Sequence, residues 1–291
     1  MNAILEASGT RAVERVLGSQ VAPVGTFTVR RALPARERHS IGPWVFLDHF
    51  GPMRVTPGHD GVGPHPHAGI ETVTYLFSGR NQHRDSAGHT GIVAAGGAQW
   101  MTSGRGIIHA ERPLAESDAE LTMHGIQLWT SLPRLKKLTD PRYQRIEAGA
   151  IPSVEREGVR VRVVAGELAG ATGPAEVLMP LVLAHVTLAP GATFESTVAA
   201  GFELGAYVVR GEARVGEGTA VRAGELAVFA QDDAAVRIAN AGAESLDVML
   251  LGGTPAEGPL VFHGPFVMNS VEQVRAADVA YRTGRMGSLE E

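Results

Sequence analysis

The sequence predicts an all-β protein built as two related barrels or sandwiches, closed by a short C-terminal helix. Three observations carry this. Turn formers are dense, with 36 glycines and 17 prolines in 291 residues, and long helical patterns are few. The run Ile70-Glu71-Thr72-Val73-Thr74-Tyr75-Leu76-Phe77 is β-branched, aromatic and nearly continuously apolar, as a buried strand is. A faint repeat links the halves. Tyr75-Leu76-Phe77-Ser78-Gly79 returns as Tyr207-Val208-Val209-Arg210-Gly211 at an offset of 132 residues, and the turn Val93-Ala94-Ala95-Gly96 returns as Val221-Arg222-Ala223-Gly224 at 128. Repeated β units of this size imply two domains of one architecture.

Taken in order, Gly61, Gly63, Pro64 and Pro66 mark a turn that runs into the Ile70–Phe77 strand. Ser131–Pro141 carries two prolines and both lysines of the chain, Lys136 and Lys137, and reads as a linker with a short helical turn. The expected domains are therefore 1–140, with the linker, and 141–291. Near the end, Asn269 or Ser270 can cap a helix that starts at Val271, with Glu272 in its first turn. Val271, Val274, Ala277 and Tyr281 form its apolar face, which should cover a sheet, and Gly284 ends it. The tail Gly287–Glu291 is expected to be loose.

Composition narrows the function. With 44% apolar residues the chain can bury an ample core, and with no cysteine it has neither disulfides nor thiolate ligands. Imidazole and carboxylate remain as metal ligands, a set suited to iron, manganese, nickel, copper or zinc. A net charge of −5 argues against direct nucleic-acid binding. The densest basic patch, Arg30-Arg31 with Arg36 and Arg38, is expected to be a solvated surface. No apolar run reaches membrane-spanning length, and Met1–Glu6 lacks the charged region and apolar core of a secretion signal, so a cytoplasmic location without membrane contact is expected.

The chemistry concentrates in the first half, where eight of the eleven histidines fall between His49 and His124. His65-Pro66-His67 is answered by His109-Ala110-Glu111. Residues i and i+2 of a strand share a face, so each triplet presents two ligands side by side. Two such strands brought together offer three imidazoles and one carboxylate to a single divalent cation. The repeat offsets carry these positions to Thr197, Ala199, Arg237 and Ala239, which make no ligand set, so the second domain is expected to be metal-free.

His65-Pro66-His67-Ala68-Gly69-Ile70-Glu71-Thr72-Val73, Gln99-Trp100-Met101-Thr102-Ser103-Gly104-Arg105-Gly106-Ile107-Ile108-His109-Ala110-Glu111 and His124-Gly125-Ile126-Gln127-Leu128-Trp129 together resemble the pirin family of the cupin superfamily. Phe262-His263-Gly264-Pro265-Phe266-Val267-Met268-Asn269 is similar to that family's C-terminal signature. The resemblance runs from about residue 10 to about residue 285. It implies two tandem cupin barrels of the double-stranded β-helix, or jelly-roll, type. It also implies one mononuclear metal in the N-terminal barrel, held by His65, His67, His109 and Glu111. Glu71 matches a glutamate that ligates metal in many other cupins but not in pirins. The implied metal is Fe(II), with Mn, Ni, Cu, Zn and Co as alternatives. The implied activity is a quercetin 2,3-dioxygenase-type oxygenation of a flavonol-like molecule by dioxygen, with Glu111 also catalytic. The alternative is a metal-binding regulatory protein acting through protein partners, as a transcription cofactor or an enzyme modulator.

Around such a site Trp100, Met101, His124 and Gln127 are the candidates to line a substrate pocket. If residues 124–129 form a strand, His124 and Gln127 lie on opposite faces and only one of them can point inward. Glu71 and Gln127 are candidates to accept the free ring protons of the ligand imidazoles. His83 and His89, after the Gly79 turn, are expected to face solvent.

Overall fold

The structure, a computed structural model, describes residues 9–25, 27–115, 121–232 and 235–289. The leader reading at Met1–Glu6 and the end of the tail lie outside the described residues. The chain divides into two compact units, one comprising Gln20–Pro34, Pro43–Ala150 and Ala256–Glu291, the other the chain up to Ser19, Ala35–Gly42 and Ile151–Pro255.

In the first unit a seven-stranded antiparallel sheet runs in the order Arg142–Ile146, Ala98–Thr102, Ile70–Ser78, Leu121–Ser131, Trp44–Val55, Phe27–Leu33, Gln20–Val24. A four-stranded sheet has the order Val62–His67, Ile107–Pro113, Arg80–Asp85, Thr90–Ala94. The second unit repeats the pattern. Its larger sheet is Val13–Gly18, Glu225–Phe229, Glu203–Arg210, Leu246–Gly253, Leu181–Leu188, Val159–Ala165, Ser153–Arg156, and its smaller one is Thr193–Ser196, Val236–Asn240, Glu212–Val215, Thr219–Arg222. Each unit is thus a double-stranded jelly roll of the cupin type. The repeat seen in sequence is one turn used twice: Gly79 and Gly211 both end the long central strand at positive φ, 93° and 92°, where a side chain would be strained.

The units do not follow the expected division at 140/141. Arg142–Ile146, just past the linker, hydrogen-bonds to Ala98–Thr102 at the edge of the first unit's sheet, while the N-terminal strand Val13–Gly18 pairs with Glu225–Phe229 in the second. A free sheet edge takes whichever strand completes its ladder, and composition carries no trace of that choice.

The C-terminal helix, Val271–Arg282, belongs to the first unit. Ser270 is its cap, with its side chain accepting from the Gln273 amide; Asn269 instead ties the carbonyls of Glu257 and Pro259. Val274 and Ala277 are buried against Ala68, Ile108, Phe266 and Met268. Val271 and Tyr281, expected on the same face, are partly exposed, so the buried stripe is narrower than the sequence pattern. The linker holds the expected helical turn, Arg134–Lys136. One of its lysines is no surface group: Lys137 is fully buried and donates to Gly69 O, Ser131 Oγ and Val267 O, each at 2.8 Å.

Candidate metal centre

The strands Val62–His67 and Ile107–Pro113 are antiparallel neighbours with His65 directly opposite His109. The i, i+2 spacing and this register bring three imidazoles together, with ring centroids 4.3 Å apart for His65–His109 and 5.0 Å for His65–His67 and His67–His109. One ring nitrogen from each lies within 4.8 Å of the others.

Hydrogen bonds select which nitrogen each ring offers. His65 Nδ1 lies 2.8 Å from Gly63 O, and His67 Nδ1 lies 3.2 Å from Pro265 O. A carbonyl only accepts, so each Nδ1 carries the proton and each Nε2 a lone pair. His109 Nε2 is buried with no hydrogen-bond partner. A buried polar nitrogen left unpaired beside two like lone pairs is costly unless a cation takes it, so the three residues fit a divalent metal. Burial, reinforced by neighbouring His65, pushes the His67 imidazole down to about 3, and burial with His65, His67 and His83 holds His109 well below its usual range. Both rings are therefore neutral at physiological pH, as ligation requires.

Glu111 lies on the same strand as His109 and lines the same cavity as His65 and His67, but its carboxylate is not within the three-histidine group. Its Oε1 accepts from Thr74 Oγ1 at 2.9 Å, from Asn81 Nδ2 at 3.3 Å and from Gln99 Nε2. The amide of Gln127 lies 2.7 Å from the same Thr74 hydroxyl.

The cavity measures about 490 Å3 and its walls are largely apolar, including Phe27, Phe46, Phe50, Met123 and Trp129. Phe46 and Trp129 stack at 4.0 Å and 11°, and the Trp129 ring meets His67 edge-on at 4.9 Å, so a flat aromatic surface runs up to the imidazoles. Gly125 makes room for the Phe50 ring, which a Cβ there would strike.

Several expectations change. Of Trp100, Met101, His124 and Gln127, only Gln127 lines the cavity. Trp100 pairs with Val73, on the sheet face opposite Thr74 and Gln99, and packs edge-on against Trp44. Met101 is buried in the sheet without reaching the cavity. His124 lies on the other face of its strand, 2.7 Å from His49 Nε2 and against Phe77. Neither Glu71 nor Gln127 accepts a ligand ring proton. Glu71 points away from the cavity, fully buried, and takes hydrogen bonds from Thr102 and Thr130; burial raises its carboxyl above the usual range. His83 does not face solvent: it is buried on the strand Arg80–Asp85, whereas His89 is part-exposed. Arg31 is no solvated surface residue either. It forms a two-point pair with Asp48, at 2.8 and 2.7 Å, inside the cavity wall and over the Phe46 ring. Sequence reading missed Thr74, Asn81 and Gln99 around Glu111. The available signal was the polar alternation Asn81, His83, Asp85 in a short strand, all inward, which is unusual for a pattern that elsewhere buries apolar residues.

Two jelly-roll barrels, one of them gathering three imidazoles beside an aromatic cavity, define a two-domain cupin with a candidate metal centre. The Pirin family profile matches residues 26–130, and that of the Pirin C-terminal cupin domain matches residues 183–287. The chain belongs to the pirin family. It is 35% identical over 263 residues to Pirin of Homo sapiens, covering 89% of this chain and 88% of that protein, and 36% identical over 279 residues to a pirin-like protein of Caulobacter vibrioides, covering 94% of each. Among solved structures it is similar to quercetin 2,3-dioxygenase from Acinetobacter baumannii, with a TM-score of 0.89, 30% identity, and 97% of this chain and 100% of that one covered. A bacterial pirin from Escherichia coli, solved in complex with nickel(II), shares the fold at a TM-score of 0.65 and 19% identity, over 83% of this chain and 99% of that one. Among the described residues no helix is long and apolar enough to cross a membrane.

Proposed function

We propose that this chain is a metal-dependent oxygenase of the quercetin 2,3-dioxygenase type, acting on a flavonol-like substrate with dioxygen. The observation that carries the reading is the convergence of His65, His67 and His109 beside a cavity that His65 and His67 line together with stacked Phe46 and Trp129. Its volume lies within the range of small-molecule sites, and its walls suit a flat, largely apolar ring system. The likeness to the Acinetobacter baumannii enzyme supports the same class of substrate.

The ligand set of this reading is the Nε2 atoms of the three histidines with Oε2 of Glu111, whose Oε1 is already anchored by Thr74, Asn81 and Gln99. Imidazole and carboxylate donors suit Fe(II), Ni, Mn, Co, Cu or Zn, and Fe(II) is the one that the resemblance to pirins implies. When bound, the metal supplies a site that orients an ionised flavonol and dioxygen and stabilises the negative charge that develops. The protein's part is positional. Phe46 and Trp129 would hold the ring plane, the apolar walls would keep bulk water from the reacting carbons, and the Glu111 carboxylate would take the 3-hydroxyl proton. Both atoms of dioxygen enter the heterocycle, which opens to a depside and carbon monoxide.

Aerobic turnover by the iron-loaded protein tests this, with oxygen uptake matched to carbon monoxide release from quercetin. Glu111→Gln keeps size and an oxygen donor but removes the charge. It should retain part of its iron and lose turnover by about 10²–10⁴-fold, with the Michaelis constant less affected. Near-normal turnover in that variant removes Glu111 from the chemistry. No turnover by the wild type with any flavonol or metal moves the reading to a protein that acts through partners.

A further inference from the structure

His109 differs from the other two histidines of the cluster in what stands behind it. His65 and His67 lean on backbone carbonyls, which can only accept. His109 Nδ1 instead faces another imidazole, His83 Nδ1, at 3.5 Å. Two ring nitrogens can face each other favourably only if one is protonated and the other bare, so the tautomer of His109 is decided by His83.

His83 is in turn decided by Asp85. The Asp85 side chain is fully buried, and His83 Nε2 lies 3.0 Å from its Oδ2. Oδ1 accepts the backbone amides of Ala87 and His89, each at 3.0 Å, and His89 Nδ1 approaches Oδ2 at 2.9 Å. A carboxylate gripped in this way holds a proton on His83 Nε2; in the neutral imidazole Nδ1 is then bare, which places the His109 proton on Nδ1 and its lone pair on Nε2. The plane of His83 is set as well. Tyr143 stacks on it at 4.3 Å and 8°, and Gly91 leaves room for that ring, which a Cβ there would strike.

We propose that Asp85 and His83 are positioning residues, a hydrogen-bonded chain that locks His109 in the tautomer presenting Nε2 to the metal. This rests on the reading of His109 as a ligand. Neither residue touches metal or substrate, so their effect appears in ligand state and metal affinity before it appears in turnover.

Asp85→Asn is the sharpest variant. The two backbone amides keep the amide oxygen at the Oδ1 position, so the NH2 group falls where Oδ2 stood and donates to His83 Nε2. His83 must then carry its proton on Nδ1, and His109 must carry its own on Nε2, where the ligand lone pair is needed. His83→Phe keeps a flat ring against Tyr143 but removes the acceptor, and His83→Gln offers an amide oxygen in its place. The experiment uses the full-length protein with Ni(II) and Fe(II) as probes, measuring affinity by chelator competition. Long-range 1H–15N spectra of 15N-histidine-labelled apo protein read the tautomers directly.

The expected results are a His109 Nδ1–H tautomer in the wild type, its inversion in Asp85→Asn, and a fall in metal affinity of about 10–100-fold in Asp85→Asn and His83→Phe, with His83→Gln recovering most of it. The melting temperature of the apo protein should hardly change in Asp85→Asn, which preserves shape. Should His83→Phe not fold, Asp85→Asn and the tautomer spectra decide alone. Wild-type affinity in folded Asp85→Asn, or a loss in His83→Gln equal to that in His83→Phe, overturns the proposal while leaving the ligand set intact. A wild type that binds neither metal overturns the ligand reading and this inference with it.

Discussion

The two barrels share a strand order, and one row across each large sheet shows what separates them. In the first unit, neighbouring strands align Gln99, Thr74, Gln127, Asp48 and Arg31 side by side. In the second, the same row reads Ala227, Ala206, Leu250, Ala184 and Val163, all within the buried apolar core. One barrel spends its interior on hydrogen bonds that reach Glu111 and an ion pair that borders a cavity. The other fills the same positions with aliphatic side chains. Polar groups in a closed interior must each find a partner, whereas apolar ones need only shape, so the first barrel tolerates fewer changes and gains a site. Identical topology therefore says nothing about which barrel is functional; the side chains of one row do.

The largest effect that tests this contrast is on metal. His67→Ala should remove essentially all stoichiometric metal by elemental analysis, together with the thermal stabilisation that metal confers by binding only the folded state. Full metal content in that variant breaks the comparison, and metal found within the second barrel breaks it from the other side. Next comes Phe194→Ala in the second barrel. Its ring is buried among the core aliphatics, and the variant should unfold more easily by about 3–5 kcal/mol in denaturant titration while keeping its metal. Metal loss in a folded Phe194→Ala protein would mean that the second barrel does more than pack.

Smaller effects sharpen the account of the first barrel. Lys137→Met strands the acceptors Gly69 O, Ser131 Oγ and Val267 O and should cost about 2–3 kcal/mol. Burial pushes the Lys137 ammonium from 10.5 down to about 7. Between those values the unfolded chain binds a proton that the folded chain does not, so stability rises with pH across that window. Lys137→Met should flatten the rise, which denaturant midpoints at a series of pH values would reveal. The smallest change, Thr74→Val, moves one position of the polar row towards its counterpart Ala206. It removes a donor from Glu111 and should cost about 1 kcal/mol, with a several-fold weaker metal affinity by chelator competition.

Much of this was legible in the sequence. The i, i+2 spacing of His65 with His67 and of His109 with Glu111 is a statement about strand geometry, and it needs no coordinates to place each pair on one face. The repeat marked the two barrels because a turn that needs positive φ keeps its glycine, as at Gly79 and Gly211. Other features were out of reach. Alternation put His124 and Gln127 on opposite faces but could not say which face was inner, because both faces of that sheet are buried. Trp100 and Glu71 sat beside the motif yet point away from the cavity, for the same reason.

What the sequence determined by itself is what depends on neighbours along the chain: strand periodicity, the turn glycines, the Ser270 cap and the pairing of candidate ligands two residues apart. The tertiary structure alone decided what depends on partners far apart in the chain. It gave Val13–Gly18 and Arg142–Ile146 to their respective sheets, turned Oε1 of Glu111 towards Thr74, Asn81 and Gln99, and set His83 with Asp85 behind His109. The physical reason is range. Backbone sterics and side-chain alternation act within a few residues, whereas a ladder edge, a buried hydrogen bond or a ring tautomer is settled only by the group that folding brings opposite.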